Sequence, residues 1–174
     1  MKNSKTMMKS KKSTIMPNKI VLAIDPGFDR VGVAVLDKNQ VLYSHCLETE
    51  RKSPHPERLL SIGQFVRGVI EKWQPRTLAI ESLFFNQNTT NALKVSEARG
   101  VILYEASRAG LEVHEYSPQA IKLAVTGYGK ADKTAVENMV QKLVEIPETE
   151  KKRLDDELDA IAVGITHLAS HRGI

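Results

Sequence analysis

A single cysteine, Cys46, occurs in 174 residues, so no intrachain disulfide framework holds this chain and a reducing compartment is expected. No apolar run is long enough to cross a bilayer. The first twenty residues also lack the apolar stretch of a secretory signal, which makes a cytoplasmic protein the expectation. There is no convincing serine or cysteine triad, so a protein nucleophile is not indicated. Phosphate-binding glycine loops are missing too: Gly127-Tyr128-Gly129 is a lone G-x-G, which is weak evidence for a nucleotide site.

Acid is absent from one further place. Residues 1–20 contain six lysines (Lys2, Lys5, Lys9, Lys11, Lys12 and Lys19) and no carboxylate. The overall charge of +4 is therefore uneven, because without those lysines 19 basic and 21 acidic groups remain, near −2. Residues 1–18 read as a basic, disordered extension, either inert or holding nucleic acid weakly. Residues 19–174 suit one domain with one core. If that body binds nucleic acid, its positive charge must be gathered in patches.

What is present is organised around Lys19-Ile20-Val21-Leu22-Ala23-Ile24-Asp25-Pro26-Gly27. This apolar, β-branched run stopped by Pro-Gly predicts a strand buried on both faces, with Asp25 at its C-terminal tip. Val31–Leu36 and Val41–Leu47 predict two more strands, joined by short polar turns into an antiparallel meander. After Pro54 and Pro56, the apolar set Leu59, Ile62, Phe65, Val66, Val69, Ile70 and Trp73 shares one helical face. Arg76–Ile80 predicts a fourth strand, tipped by Glu81. A long helix over 88–109 follows, then a strand over 111–116. A short helix opens at Ser117-Pro118, and another is capped by Asp132 and ends at Ile146-Pro147. The last helix spans about 154–170. The pattern is an α/β fold with a five-stranded mixed sheet, a three-strand antiparallel meander plus two parallel strands, flanked by helices on both faces. A fourth strand returning through a helix and lying parallel to the first brings Glu81 beside Asp25.

The last helix supplies further acids: Asp155, Asp156, Glu157 and Asp159. Acids in a first turn also suit the helix dipole, but Asp159 borders the apolar stretch Ala160-Ile161-Ala162-Val163. At about 100° per residue, Asp155 and Asp156 both fall on Asp159's side and Glu157 on the other. Periodicity leaves Asp155 and Asp156 undivided. Clustered oxygens from Asp25, Glu81, Asp159 and one of these form a hard-ligand site suited to Mg²⁺ or Mn²⁺, without the cysteine or histidine grouping of a zinc site. Two such ions about 4 Å apart activate water and stabilise a leaving oxygen in phosphodiester cleavage.

Over about residues 19–171 the chain resembles the RuvC family of Holliday-junction resolvases, in the RNase H-like, or retroviral-integrase-like, superfamily. Ile24-Asp25-Pro26-Gly27 looks like its first motif and Ala79-Ile80-Glu81-Ser82-Leu83-Phe84 like its second. Residues 91–100, Asn-Ala-Leu-Lys-Val-Ser-Glu-Ala-Arg-Gly, resemble its central helix. Asp156-Glu157-Leu158-Asp159-Ala160-Ile161-Ala162, followed by Ile165-Thr166-His167, resembles its closing motif. The resemblance implies Asp25, Glu81, Asp156 and Asp159 as catalytic and metal-binding residues, with two Mg²⁺ or Mn²⁺ per site. It also implies a homodimer that cuts opposed strands of a four-way DNA junction symmetrically in recombination and repair, served by a branch-migration complex of the RuvA and RuvB type. A preference for thymine-containing cleavage sites belongs to the same expectation.

Phe84 matches an aromatic that meets junction bases, whereas Phe85 reads as core. Lys122 and Lys133 match basic positions used on DNA. Arg99 either faces phosphate or pairs with Glu97 or another acid. The stretch from Phe28 to Val35 is also close to the pre-ribosomal-RNA nuclease family called YqgF, so an RNA-processing nuclease is the alternative enzyme. A non-catalytic junction-binding protein is the alternative from another class, and an actin-like ATPase fits least. The long central helix and the Asp156/Asp159 ending favour the resolvase.

Overall fold

The computed structural model describes residues 19–83, 89–148 and 153–171. The meander is formed by β1 (Val21–Asp25), β2 (Arg30–Asp37) and β3 (Gln40–Glu48). Helix α1 (His55–Trp73) leads to β4 (Thr77–Glu81), and α2 (Thr89–Arg108) to β5 (Glu112–Tyr116). Three helices complete the chain: α3 (Pro118–Thr126), α4 (Lys133–Leu143) and α5 (Asp155–Ser170). The strand order is β3-β2-β1-β4-β5. The β1–β2 and β2–β3 pairs are antiparallel, while β1–β4 and β4–β5 are parallel, as expected for strands joined through helices. No helix among the described residues is long and apolar enough to cross a membrane.

Alternation along the central strands divides the core into two layers. Leu22, Ile24, Leu78 and Ile80 pack with α1 and α2, against Ile62, Val66, Ala98 and Ile102. Val21, Ala23 and Ala79 turn the other way, to Ala160, Ile161 and Val163 of α5 and to Val136 and Val140 of α4. On that second face Ala34, Ala23 and Ala79 lie side by side across β2, β1 and β4. These small residues leave room for a helix at close range. Gly164 of α5 completes the fit: a Cβ there would stand 3.2 Å from Ala23 Cβ and inside contact distance of the Leu36 side chain.

Element ends follow local chemistry. Pro56 lies in the first turn of α1, and Gln74, at φ 49°, closes the helix in the left-handed region with its N–H on Ile70 O. Ser117 Oγ accepts the Ala120 N–H at 3.1 Å, and Asp132 Oδ1 the Ala135 N–H at 2.8 Å, so both expected N-caps form.

One boundary differs from the sequence expectation. Helix α4 stops at Leu143 rather than running to Ile146-Pro147, because Val144 is extended and Glu145 bridges to the start of β3. Glu145 N donates to Asn39 O at 2.8 Å, and Val41 N to Glu145 O at 2.9 Å. Backbone pairing with a segment a hundred residues earlier outcompetes one more helical turn.

Candidate metal centre

The parallel register pairs Val21 with Thr77 and continues to Ile24 with Ile80. The next residues are Asp25 and Glu81, the last of their strands. Both share the strand parity of Ala23 and Ala79, so both face α5. The start of α5 is brought to them by β2, where Gly32, paired with Asp25, lies against the Asp156 backbone. Four carboxylates thereby meet at one end of the sheet.

Their electrostatics show the crowding. Burial pushes the Asp25 carboxyl up to about 8, helped by the negative charges of Glu81, Asp159 and Asp156 and opposed by Lys133. Glu81 is pushed up to about 7 by burial and by Asp159, with Lys122 acting against the rise. Asp159 is also raised, chiefly by burial, despite its hydrogen bond from Lys133. Like charges on a buried patch cannot all ionise unless cations join them.

Helix α5 distributes its first-turn acids by what each one meets. The Asp156 side chain is 19% exposed, and Arg30 Nε stands 3.3 Å from its Oδ2. That Oδ2 atom is buried and takes no hydrogen bond among the described residues. Asp155 is 61% exposed and pairs with Lys133 Nζ at 3.3 Å. Glu157 turns to β3, accepting from Ser44 Oγ at 2.8 Å and from the Leu154 N–H at 3.4 Å. Asp156, not Asp155, is thus the first-turn acid whose charge acts on Asp25. The helical wheel left these two undivided.

The donor set fits a hard divalent cation. It consists of carboxylate oxygens alone, two of whose groups keep protons well above their usual range, and it includes one buried oxygen that takes no hydrogen bond among the described residues. Asp25, Glu81, Asp156 and Asp159 supply these oxygens.

Two clefts flank this centre. One, of about 260 Å³, is lined by Glu81, Lys122, Lys133 and Asp159 together with Pro118 and Val136. The other, of about 280 Å³, includes Phe28, Arg30, Asn91, Lys94 and Asp156. Lys133 Nζ lies 3.3 Å from both Asp155 Oδ2 and Asp159 Oδ2. Arg99 sits elsewhere, its side chain 15% exposed and its Nη2 2.6 Å from Glu115 Oε2. Glu97 pairs instead with His55, at 2.7 Å. Phe84 and Phe85 lie outside the described residues.

Sequence reading overlooked Arg30, Lys94 and Gly32. The available signal was the position of Arg30 and Gly32 in and just after the turn that follows Asp25. Lys94 falls in the stretch resembling the central helix but was given no role; it reaches the cleft because α2 crosses beside that turn, with its Nζ 5.7 Å from the Phe28 ring centre.

A sheet of order β3-β2-β1-β4-β5 with acids at the adjoining tips of β1 and β4 and at the start of a helix packed across them is the RNase H-like α/β architecture. Sequence comparison narrows this further. The family described as "Crossover junction endodeoxyribonuclease RuvC" matches residues 21–167. A protein of that name from Desulfitobacterium hafniense (strain DSM 10664 / DCB-2) is 42% identical over 156 residues, covering 87% of this chain and 93% of its own. Another, from Moorella thermoacetica, is 42% identical over 152 residues, covering 85% and 90%. The solved structure described as "T. thermophilus RuvC in complex with Holliday junction substrate" superposes with a TM-score of 0.82 at 31% identity, covering 89% of this chain and 96% of that one. The chain belongs to the RuvC family.

Proposed function

We propose that this protein is a crossover junction endodeoxyribonuclease: a metal-dependent hydrolase that resolves four-way DNA junctions in recombination and repair. The observation that carries the reading is the convergence of Asp25, Glu81, Asp156 and Asp159 on one patch, in a chain whose relatives bear that activity in their names. Two Mg²⁺ or Mn²⁺ ions are assigned to these four carboxylates. The chemistry they supply is activation of water and neutralisation of charge on the phosphate.

The chain's own residues prepare that site. Asp25 and Glu81 hold protons near neutrality while no cation is bound, and release them when one arrives. Lys133 and Lys122 line the cleft beside Glu81 and Asp159, where a phosphate crossing the carboxylates meets positive charge. Arg30 flanks Asp156 on the other side. Lys122, Lys133 and Phe84 are assigned to DNA contact. Arg99 belongs to the same assignment only if it exchanges Glu115 for phosphate.

A homodimer is part of the proposal. Two-fold symmetry repeats one centre at two equivalent phosphates of a junction and makes paired cuts. The setting is the cytoplasm, with a branch-migration complex of the RuvA and RuvB type as partner.

The test is strand-resolved cleavage of a mobile four-way DNA junction in Mg²⁺, with wild type, Asp25→Asn and a linear duplex control. Symmetric paired nicks on the junction alone, lost in the variant while binding persists, are expected. Cleavage of a structured RNA precursor in preference to the junction would overturn the substrate. Tight binding without cleavage in any metal would overturn the enzyme.

A further inference from the structure

Three of the protein's five histidines meet about 12 Å along α5 from Asp159, eight residues at 1.5 Å each. His171 caps the C-terminus of α5, four residues after His167, and the two rings stack with centres 4.3 Å apart. His114 comes from β5, its ring centre 4.7 Å from each of the other two. One potential ligand nitrogen from each lies within 4.8 Å of the others. His167 is buried, whereas His114 and His171 are half-buried and open a path from solvent.

The outer bonds of these rings matter more than their proximity. Histidine that ligates a metal characteristically gives its second ring nitrogen to a carboxylate or a backbone carbonyl, which fixes the tautomer. His114 Nε2 is 3.0 Å from Glu112 Oε1, leaving Nδ1 as its lone-pair nitrogen. His171 Nδ1 is 3.0 Å from His167 O, leaving Nε2. His167 has hydroxyls on both nitrogens, Tyr116 Oη at 2.9 Å and Thr77 Oγ1 at 3.2 Å. Ligation displaces one hydroxyl and keeps the other as the orienting bond.

We propose that His114, His167 and His171 form a second metal site, separate from the acidic centre, which takes Zn²⁺ or a similar imidazole-preferring ion and ties the end of α5 to the edge strand β5. The donor chemistry divides the two sites, since nitrogen ligands favour Zn²⁺ and carboxylate oxygens favour Mg²⁺ or Mn²⁺. The protonation state agrees: burial and its histidine neighbours push His167 down to about 4, so its ring is neutral at physiological pH. The thiol of Cys46 does not compete, because burial pushes it up to about 12, away from the thiolate that binds zinc.

The experiment uses the full-length protein with Mg²⁺ in large excess to fill the acidic centre, dialysed against limiting Zn²⁺ and then assayed for bound zinc. Wild type is expected to retain one more zinc per chain than the His114→Gln/His171→Gln double variant, and to gain a zinc-dependent rise in Tm that the variant lacks. Equal zinc in both proteins, or none in either, overturns the proposal. X-ray absorption at the zinc edge of wild type needs no variant, so it decides the matter even if the substitutions impair folding. Nitrogen neighbours at about 2.0–2.1 Å are expected, and a shell of oxygen alone overturns the site.

Discussion

Gly32 and Asp156 are in backbone contact: a Cβ on Gly32 would fall well inside the van der Waals limit of the Asp156 carbonyl oxygen. Because Gly32 pairs with Asp25 across β1 and β2, this contact sets how near the first turn of α5 comes to the acid at the strand tip. An alanine there meets backbone, which cannot rotate aside. Gly32→Ala is expected to cost about 1–3 kcal/mol, a fall in Tm of roughly 2–4 °C per kcal/mol for a chain of this size. Cleavage of a four-way junction should fall further than the loss of folded protein explains, because Asp156 moves with the helix. Thermal unfolding and single-turnover cleavage, measured side by side, check both parts.

Asp25 trades stability for function. Its carboxyl, pushed up to about 8 from an ordinary 3.8, binds a proton in the folded protein that the unfolded chain has released. Stability from this group is therefore complete below pH 4 and is lost as pH rises through 8; Glu81 acts likewise up to about 7. His167, lowered to about 4, works in the opposite direction below pH 6.5, so the clean window is pH 6.5–8. In metal-free buffer, Asp25→Asn is expected to gain on wild type across that window and to be the more stable protein at pH 8 by at least about 1 kcal/mol, or roughly 2–4 °C. Added Mg²⁺ should raise the Tm of wild type more than that of the variant. Thermal melts at pH 6.5 and 8, with and without Mg²⁺, test this.

Lys133 is shared between Asp155 and Asp159, so it neutralises one proposed metal ligand while lining the proposed DNA cleft. Its own ammonium is held above the usual range, because the attraction of Asp159 and the bonds to both acids outweigh burial. Lys133→Met is expected to slow junction cleavage by roughly 10–100-fold, the worth of one charged hydrogen bond. The Mg²⁺ concentration for half-maximal rate should shift downward, since Asp159 no longer has a resident cation. A rate series over Mg²⁺ concentration separates the two effects.

Arg58 anchors the turn after Asp25 from α1. It is 8% exposed and donates from Nε to Thr49 Oγ1 at 3.0 Å and from Nη2 to Phe28 O at 3.4 Å and to Asp29. Its guanidinium also covers the Phe28 ring at 3.9 Å. Arg58→Met should cost about 2–3 kcal/mol, because buried acceptors lose a charged donor. Asp29→Ala, at a 57% exposed partner, should cost no more than about 1 kcal/mol. Urea unfolding midpoints at unchanged m-value distinguish them.

Much of the architecture is written in local pattern. The apolar run from Val21 to Ile24, stopped by Pro26-Gly27, placed Asp25 at a strand tip, and the crossover through α1 made β4 parallel to β1, which brought Glu81 alongside. Ser117 and Asp132 announced two helix starts. These features depend on neighbours a few residues away, so a single sequence suffices to find them. The family resemblance over Asp156 to Ala162 selected Asp156 over Asp155 where the helical wheel did not.

Only the tertiary structure decided which group stands opposite a given face. Asp155 and Asp156 share a side of α5, yet one meets Lys133 in solvent and the other the Asp25 carboxyl and the exposed Arg30 guanidinium, a difference set by where β2 and α4 pack. The end of α4 was fixed by strand pairing with Asn39 and Val41, and Arg99 found Glu115 on β5 rather than its neighbour Glu97. His114 and His171 lie far apart in the chain and meet because the edge strand passes beside the end of the last helix. Periodicity tells which way a side chain points along its own element. Its partner is chosen by the register and packing of segments distant in sequence, where small residues such as Gly32, Ala23 and Gly164 set how closely they approach.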